Sequence, residues 1–254
     1  MVPVMPSTLV LTKPLAHIFV SWTTMTTGQI KIISGRAASN VQDTGSAVQL
    51  YMANQVAVGA DRSAQQLLWI AALTKQLERE GRKTETTGAY EVAVDDLLAS
   101  GGFCHLNTLI VRRDLYLAVG GMDETIRWEG DRDLFLRLID RAQRMRYAPC
   151  IVSLHNIPDA VKAVNETTQF SELERRLSQL RVLDKASALA AHPGIRAHGR
   201  QHRTWTLKRI AEVLAALGDI QAAAYYARAA CGTGLTFKWA GYTAWLSLRA
   251  LVAF

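Results

Sequence analysis

HLNTLIVRRDLYLAVGGMDETIRWEGDRDLFLRLIDRAQRMRYAP, residues 105–149, is the stretch on which the fold reading turns. Thr108–Arg113 is an apolar run containing β-branched residues and ending in paired arginines, the composition of a strand. Asp114 follows as a helix cap, and Gly120-Gly121 ends the short helix it opens. Gly130–Ala142 predicts a longer helix: Leu134, Leu138, Ile139 and Ala142 share one face, while Arg137, Asp140 and Arg141 lie off it. Just beyond, Cys150–His155 (CIVSLH) reads as a buried strand. Strand–helix alternation in units this small predicts an α/β layer.

Toward the N-terminus, the first sixty residues contain a single acidic residue, Asp43. His17–Met25 and Gln29–Ser34 flank Thr26-Thr27-Gly28 and predict a β-hairpin. Ser63 and Gln66 form a capping-box pattern for a helix over Ser63–Glu80, which Gly81 stops. A short helix over Val92–Ser100 is closed by Gly101-Gly102.

Toward the C-terminus, the chain turns all-helical after Pro158. A second capping box, Ser171 to Glu174, opens a helix with Leu173, Leu177, Leu180 and Leu183 on one side, and His192-Pro193-Gly194 breaks it. Thr206–Cys231 reads as two amphipathic helices separated by Gly218-Asp219. A solenoid needs at least three units at fixed spacing, and none recur. Phe237–Phe254 is one aromatic-rich helix. The expected organisation is an α/β domain over 1–158 and a helical region over 159–254.

Composition fits a globular chain: 49% hydrophobic and 20% charged residues over 254 positions. The net charge of +7 is unevenly placed. Residues 1–140 hold 13 Lys/Arg against 15 Asp/Glu, whereas 141–254 hold 16 against 7. That basic half suits either an anionic partner or a solvated basic face. Its cations are scattered on helices without a recognised motif, so no nucleic-acid partner is expected. Cys104, Cys150 and Cys231 form no CxxC pair and indicate neither a disulfide framework nor a zinc site. Without a positive n-region and with Lys13 interrupting the apolar stretch, the N-terminus does not read as a secretory signal. No window is long and apolar enough for a bilayer span. A cytoplasmic location is expected, with a peripheral contact at the inner membrane face as its variant. In that variant Phe237, Trp239, Tyr242 and Trp245, with Lys238 and Arg249, form an interfacial helix within 237–254. Packing of the same aromatics into a core is the competing reading.

Five of the 22 acidic residues fall in eleven positions: Asp123, Glu124, Glu129, Asp131 and Asp133. Three of them bracket the start of the Gly130 helix. The helix dipole favours a carboxylate there, so Asp131 can accept a proton. A cap with first-turn acids at an ordinary helix gives the same pattern. Trp128 and Arg132 flank Asp131; they either stack on a sugar ring and hold hydroxyls, or serve as a core aromatic and a solvated charge.

The whole run resembles the C-terminal, acceptor-side half of family-2 glycosyltransferases of the GT-A fold. The pieces are Arg112-Arg113, Gly120-Gly121-Met122-Asp123-Glu124, then Asp131 followed by Asp133-Leu134-Phe135-Leu136-Arg137. The match covers about fifty residues and extends more weakly to Asp95-Asp96-Leu97-Leu98. The resemblance implies a partial GT-A-like mixed α/β layer followed by an all-helical C-terminal region. It implies inverting transfer of a sugar from a nucleotide-sugar donor to a carbohydrate or glycolipid hydroxyl, with Asp131 as general base. The sequence departs from the pattern at Gly130, where Glu is usual; Glu129 lies one place earlier. By the same resemblance, Glu129, Trp128, Arg132, Asn107 and Thr108 are acceptor-side candidates, and His155 is a candidate metal or diphosphate contact. A divalent Mn or Mg is expected on the sugar diphosphate. The Asp-x-Asp motif that would hold it is not found upstream, where Asp43 stands alone and Asp61, Glu78, Glu80 and Glu85 form no such pair. The expectation is therefore a transferase truncated or replaced at its front, with weak or absent activity by itself. The alternative is an inactive transferase-like domain whose helical tail contacts proteins or membranes.

Overall fold

A computed structural model describes residues 17–19, 49–58, 62–84, 89–99, 106–156, 170–234 and 236–252. In chain order the elements are β1 (His17–Phe19), β2 (Leu50–Val58), α1 (Arg62–Arg79), β3 (Tyr90–Val92), α2 (Val94–Ala99), β4 (Leu109–Arg112) and α3 (Arg113–Ala118). There follow α4 (Gly130–Arg141), β5 (Met145–Asn156), α5 (Glu172–Leu189), α6 (Pro193–Ala216), α7 (Ile220–Cys231) and α8 (Phe237–Val252). The protein is thus mixed α/β with a helical C-terminal region. These elements form two compact units that interleave along the chain.

The sheet unit holds β1 to β5, α1 and α3. Its five strands run in the order β1-β4-β2-β5-β3. Central β2 is antiparallel to β4 and parallel to β5, and both edge strands are antiparallel to their neighbours. Leu50, Tyr51 and Met52 of β2, Leu109, Ile110 and Val111 of β4, and Tyr147 of β5 are all buried. Consecutive burial on neighbouring strands is the pattern of a sheet covered on both faces. Inside β5 lies Pro149, which cannot donate to a ladder. Pairing accordingly slips there, from Met52 opposite Tyr147 to Asn54 opposite Ile151, a bulge in β5.

Several sequence expectations shift at this level. The strand expected at Cys150 begins five residues earlier, at Met145. Arg146 faces Glu91 of β3 across the ladder, so it belongs to a paired strand, and Arg144 in the bend just before β5 donates to the same carboxylate at 3.0 Å. Asp114 does not cap α3: the cap position is Arg112, and Asp114 instead pairs with the Arg112 guanidinium and accepts from Leu115 N at 2.9 Å. Since α1 starts at Arg62, Ser63 lies inside that helix and not ahead of it. Of Val92–Ser100, Val92 is strand and the helix opens at Val94. The predicted hairpin lies outside the described residues except His17–Phe19, which pairs with β4. Gly120 and Gly121 have φ of +80° and +66°, the left-handed turn that ends α3 and that a side chain would strain.

The helical unit holds α2, α4 and α5 to α8. Ser171 caps α5 as predicted: its Oγ accepts from Glu174 N at 3.2 Å, and the Glu174 carboxylate accepts from Ser171 N at 2.8 Å. His192 caps α6, which starts at Pro193; Thr206 therefore lies mid-helix, not at a helix start. Gly218 (φ +85°) turns the chain from α6 into α7, where Asp219 accepts from Ala222 N at 3.0 Å. The core joins Leu207, Ile210 and Leu214 of α6 to Ala223, Ala224, Ala227 and Ala230 of α7 and to Trp239 and Leu246 of α8. Four alanines on one face of α7 let its neighbours approach closely. Trp239 fills the space over them and donates its indole N–H to Ala227 O at 3.2 Å. The α8 aromatics divide: Trp239 is core, whereas Phe237 and Trp245 are exposed. No helix among the described residues is long and apolar enough to cross a membrane.

Candidate functional site

The site expected around Asp131 lies in the helical unit, where the loop 122–129 runs into α4. One face of α5 holds this loop. Ser178, Arg181 and Lys185 follow one another at i, i+3 and i+7, so they point the same way. Ser178 Oγ donates to Trp128 O at 2.7 Å, Arg181 Nη2 to Thr125 Oγ1 at 2.7 Å, and Lys185 Nζ to Asp123 Oδ2 at 2.9 Å. Asp123 closes the turn by accepting from Thr125 N at 3.0 Å. Lys185 and the Thr125 hydroxyl hold its carboxyl well below the usual range.

Lys185 also reaches Asp133 at 3.0 Å. Asp133 is 3% exposed and takes Arg137 Nε at 2.9 Å and Nη2 at 2.6 Å, one helical turn on. Asp133 is therefore committed to an internal ion-pair network.

Glu129 occupies the position before α4 with φ of +60°, the left-handed region that a non-glycine residue adopts at a cost. Its carbonyl accepts the first helical bond, from Asp133 N at 3.0 Å. Its carboxyl turns inward. Gln179 Nε2 donates to Oε1 at 3.1 Å, and Arg132 Nη1 lies 3.4 Å from Oε2. Burial pushes the Glu129 carboxyl up, against the opposing pull of Arg132.

From there a polar cluster continues through α5 and α6. Arg132 Nη2 lies 3.4 Å from His198 Nε2, and the His198 and His202 rings are 4.2 Å apart. Gln179 Oε1 accepts from Arg176 at 3.1 Å and from the buried Thr206 hydroxyl at 3.4 Å. Burial, then the neighbouring His202 and Arg132, lower the His198 pKa to about 4, and burial lowers His202 as well. His198 is thus kept neutral beside a guanidinium, and His202 is pushed the same way.

Asp131 stands apart from this inward cluster. Asp131 is half-buried on the first turn of α4, and its Oδ1 accepts from Arg132 N at 2.9 Å. Trp128 is half-buried, edge-on to Phe170 at 6.1 Å and under the Arg175 guanidinium at 5.6 Å. Of the candidates, Asp131, Glu129, Trp128 and Arg132 are thus brought together on one loop–helix junction. Asn107, Thr108 and His155 belong to the sheet unit. Thr108 is buried at 4% exposure at the end of a 3₁₀ turn, and His155 lies one residue from the end of β5, opposite Ala57.

Gln179, His198, His202 and Arg176 were not anticipated from the sequence. The signal available was the i, i+4, i+8 spacing of His198, His202 and Thr206, a polar stripe along α6. Among the described residues no three His, Cys, Asp or Glu side chains gather as a metal ion would require.

Comparison with protein-family models, with curated proteins and with solved structures finds no match for this chain.

Proposed function

We propose that this protein carries the acceptor side of an inverting glycosyltransferase, with Asp131 as the base. The observation that supports the reading is the contrast among three carboxylates within five positions. Glu129 is turned inward onto Gln179 and Arg132, where burial pushes its carboxyl up, and Asp133 is locked in ion pairs. Asp131 is half-buried on the first turn of α4, outside that network, at the N-terminal end of the helix dipole. In the reaction, the Asp131 carboxylate takes the proton of an acceptor hydroxyl as that oxygen bonds to the anomeric carbon. The bond from that carbon to the diphosphate oxygen breaks from the opposite face, and the nucleoside diphosphate leaves with the electron pair. Arg132, tied to Glu129 and His198, fixes the backbone that presents Asp131.

A thermal-shift screen with UDP, GDP, TDP and CDP, each with and without manganese, tests whether a donor nucleotide is recognised. At a hundred times its dissociation constant, a ligand adds about 2.7 kcal/mol of stability. A metal-dependent shift with one nucleotide means a donor site exists despite the missing Asp-x-Asp motif and identifies the donor class. No shift with any of them, on folded protein, favours an acceptor-side fragment that needs a donor half to work.

A further inference from the structure

Helix α8 is apolar on both of its sides. Trp239, Thr243 and Leu246 are buried against the rest of the helical unit. The opposite side faces out and is not polar. At about 100° per residue, Phe237, Trp245, Leu248, Leu251 and Val252 fall within an arc of about 120°. Phe237 is fully exposed, and Trp245, Leu248, Leu251 and Val252 are exposed by 47%, 65%, 73% and 85%. A helix that covers a water-soluble core ordinarily turns polar residues outward, so a continuous outward apolar stripe marks a contact surface.

The charges around the stripe select its occupant. Lys238 and Arg249 lie along one edge, the Arg249 guanidinium 4.9 Å over the Trp245 ring. On the other edge Arg228 of α7 reaches Ser247 Oγ at 3.2 Å. Asp219 is the last Asp or Glu of the sequence; Ile220–Phe254 holds three cationic and no acidic side chains. Two copies meeting through this face would bring like charges together. An anionic bilayer supplies both needed halves: acyl chains for the stripe and headgroup phosphates for the flanking cations, whose stems can lie along the apolar surface.

We infer that α8 is an interfacial helix that docks this protein on the surface of an anionic bilayer. The inference stands on α8 alone and does not depend on the glycosyltransferase reading. The test is co-sedimentation with vesicles of phosphatidylcholine alone, or of phosphatidylcholine mixed with phosphatidylglycerol. It compares the wild type, a Phe237→Ser/Leu248→Ser double variant and a Lys238→Gln/Arg249→Gln double variant. All four positions are exposed, so unchanged far-UV circular dichroism and unfolding midpoints are expected and are checked first. The wild type binds the anionic vesicles and scarcely the neutral ones; the serine variant loses binding. Each removed cation weakens it about fivefold. Equal binding to both vesicle types, or undiminished binding by the serine variant, overturns the inference. So does a wild type that is dimeric in buffer and becomes monomeric in the serine variant, because the stripe is then covered by a second copy.

Discussion

Replacing Asp133 with Asn changes no shape and removes one charge, and the structure sets what that costs. The Asp133 carboxylate is 3% exposed and holds Arg137 Nη2 at 2.6 Å and Lys185 Nζ at 3.0 Å. Breaking a buried ion pair by removing one partner typically costs about 3–5 kcal/mol. Here the cations are not stranded: Arg137 and Lys185 keep 22% and 25% exposure, and Lys185 retains Asp123 at 2.9 Å. The expected loss is therefore smaller, about 2–3 kcal/mol. Asp131→Asn, two residues earlier, removes a half-exposed charge at the helix start and costs at most about 1 kcal/mol. Urea unfolding at neutral pH, followed by far-UV circular dichroism, measures both. A Lys185→Met background supplies the double-mutant cycle; it should show coupling to Asp133 and none to Asp131. If Asp133→Asn stays within about 0.5 kcal/mol of wild type, or Asp131→Asn costs as much, the division into a buried ion-paired carboxylate and a half-buried one at the helix start fails.

Three further predictions rest on single contacts. The His198 ring, with its pKa lowered to about 4 from 6.5, stabilises the fold only while neutral. Its contribution is complete above about pH 6.5 and is lost as pH falls toward about 4; His198→Gln should flatten that slope in unfolding free energy, and an unchanged slope would contradict the buried position. A methyl at Gly199 would meet Ser187 Oγ at 2.5 Å and the α5 backbone at 3.0 Å. Gly199→Ala should therefore destabilise, because overpacking of about 1–3 kcal/mol outweighs the gain of about 1 kcal/mol in helix propensity; a raised unfolding midpoint would count against the close α5–α6 approach. Ser171→Ala removes half of the capping box and should cost about 1 kcal/mol in the same urea assay, a loss that Ser171→Asp would largely avoid.

Where the sequence carried a periodic apolar pattern, the elements were legible. The α4 face of Leu134, Leu138 and Ile139, the Ser171 cap and the Gly218-Asp219 turn are read directly from local residues. The first half of β5 was hidden because Arg146 and Pro149 break an apolar run. Only the distant partner Glu91 and the bulge opposite β2 explain them. The interleaving of the two units was hidden as well. A boundary placed at residue 158 follows the end of strand signals, whereas α2 and α4 belong to the helical unit through contacts with α6 and α5. In the candidate site, the acidic run and Asp131 stood out by type and spacing. The cluster behind them did not, because Glu129 meets Gln179 across 50 positions and Arg132 meets His198 across 66. No local pattern encodes such pairs.

The central claim is that Asp131 is the base. Its most direct test is the release of nucleoside diphosphate from nucleotide-sugar donors, measured with a panel of hydroxyl acceptors, for wild type and for Asp131→Asn under single-turnover conditions. General-base catalysis contributes about 10²–10⁴-fold. The account predicts a loss of at least about a hundredfold, with folding stability nearly unchanged. A variant that transfers sugar within severalfold of wild type would contradict it.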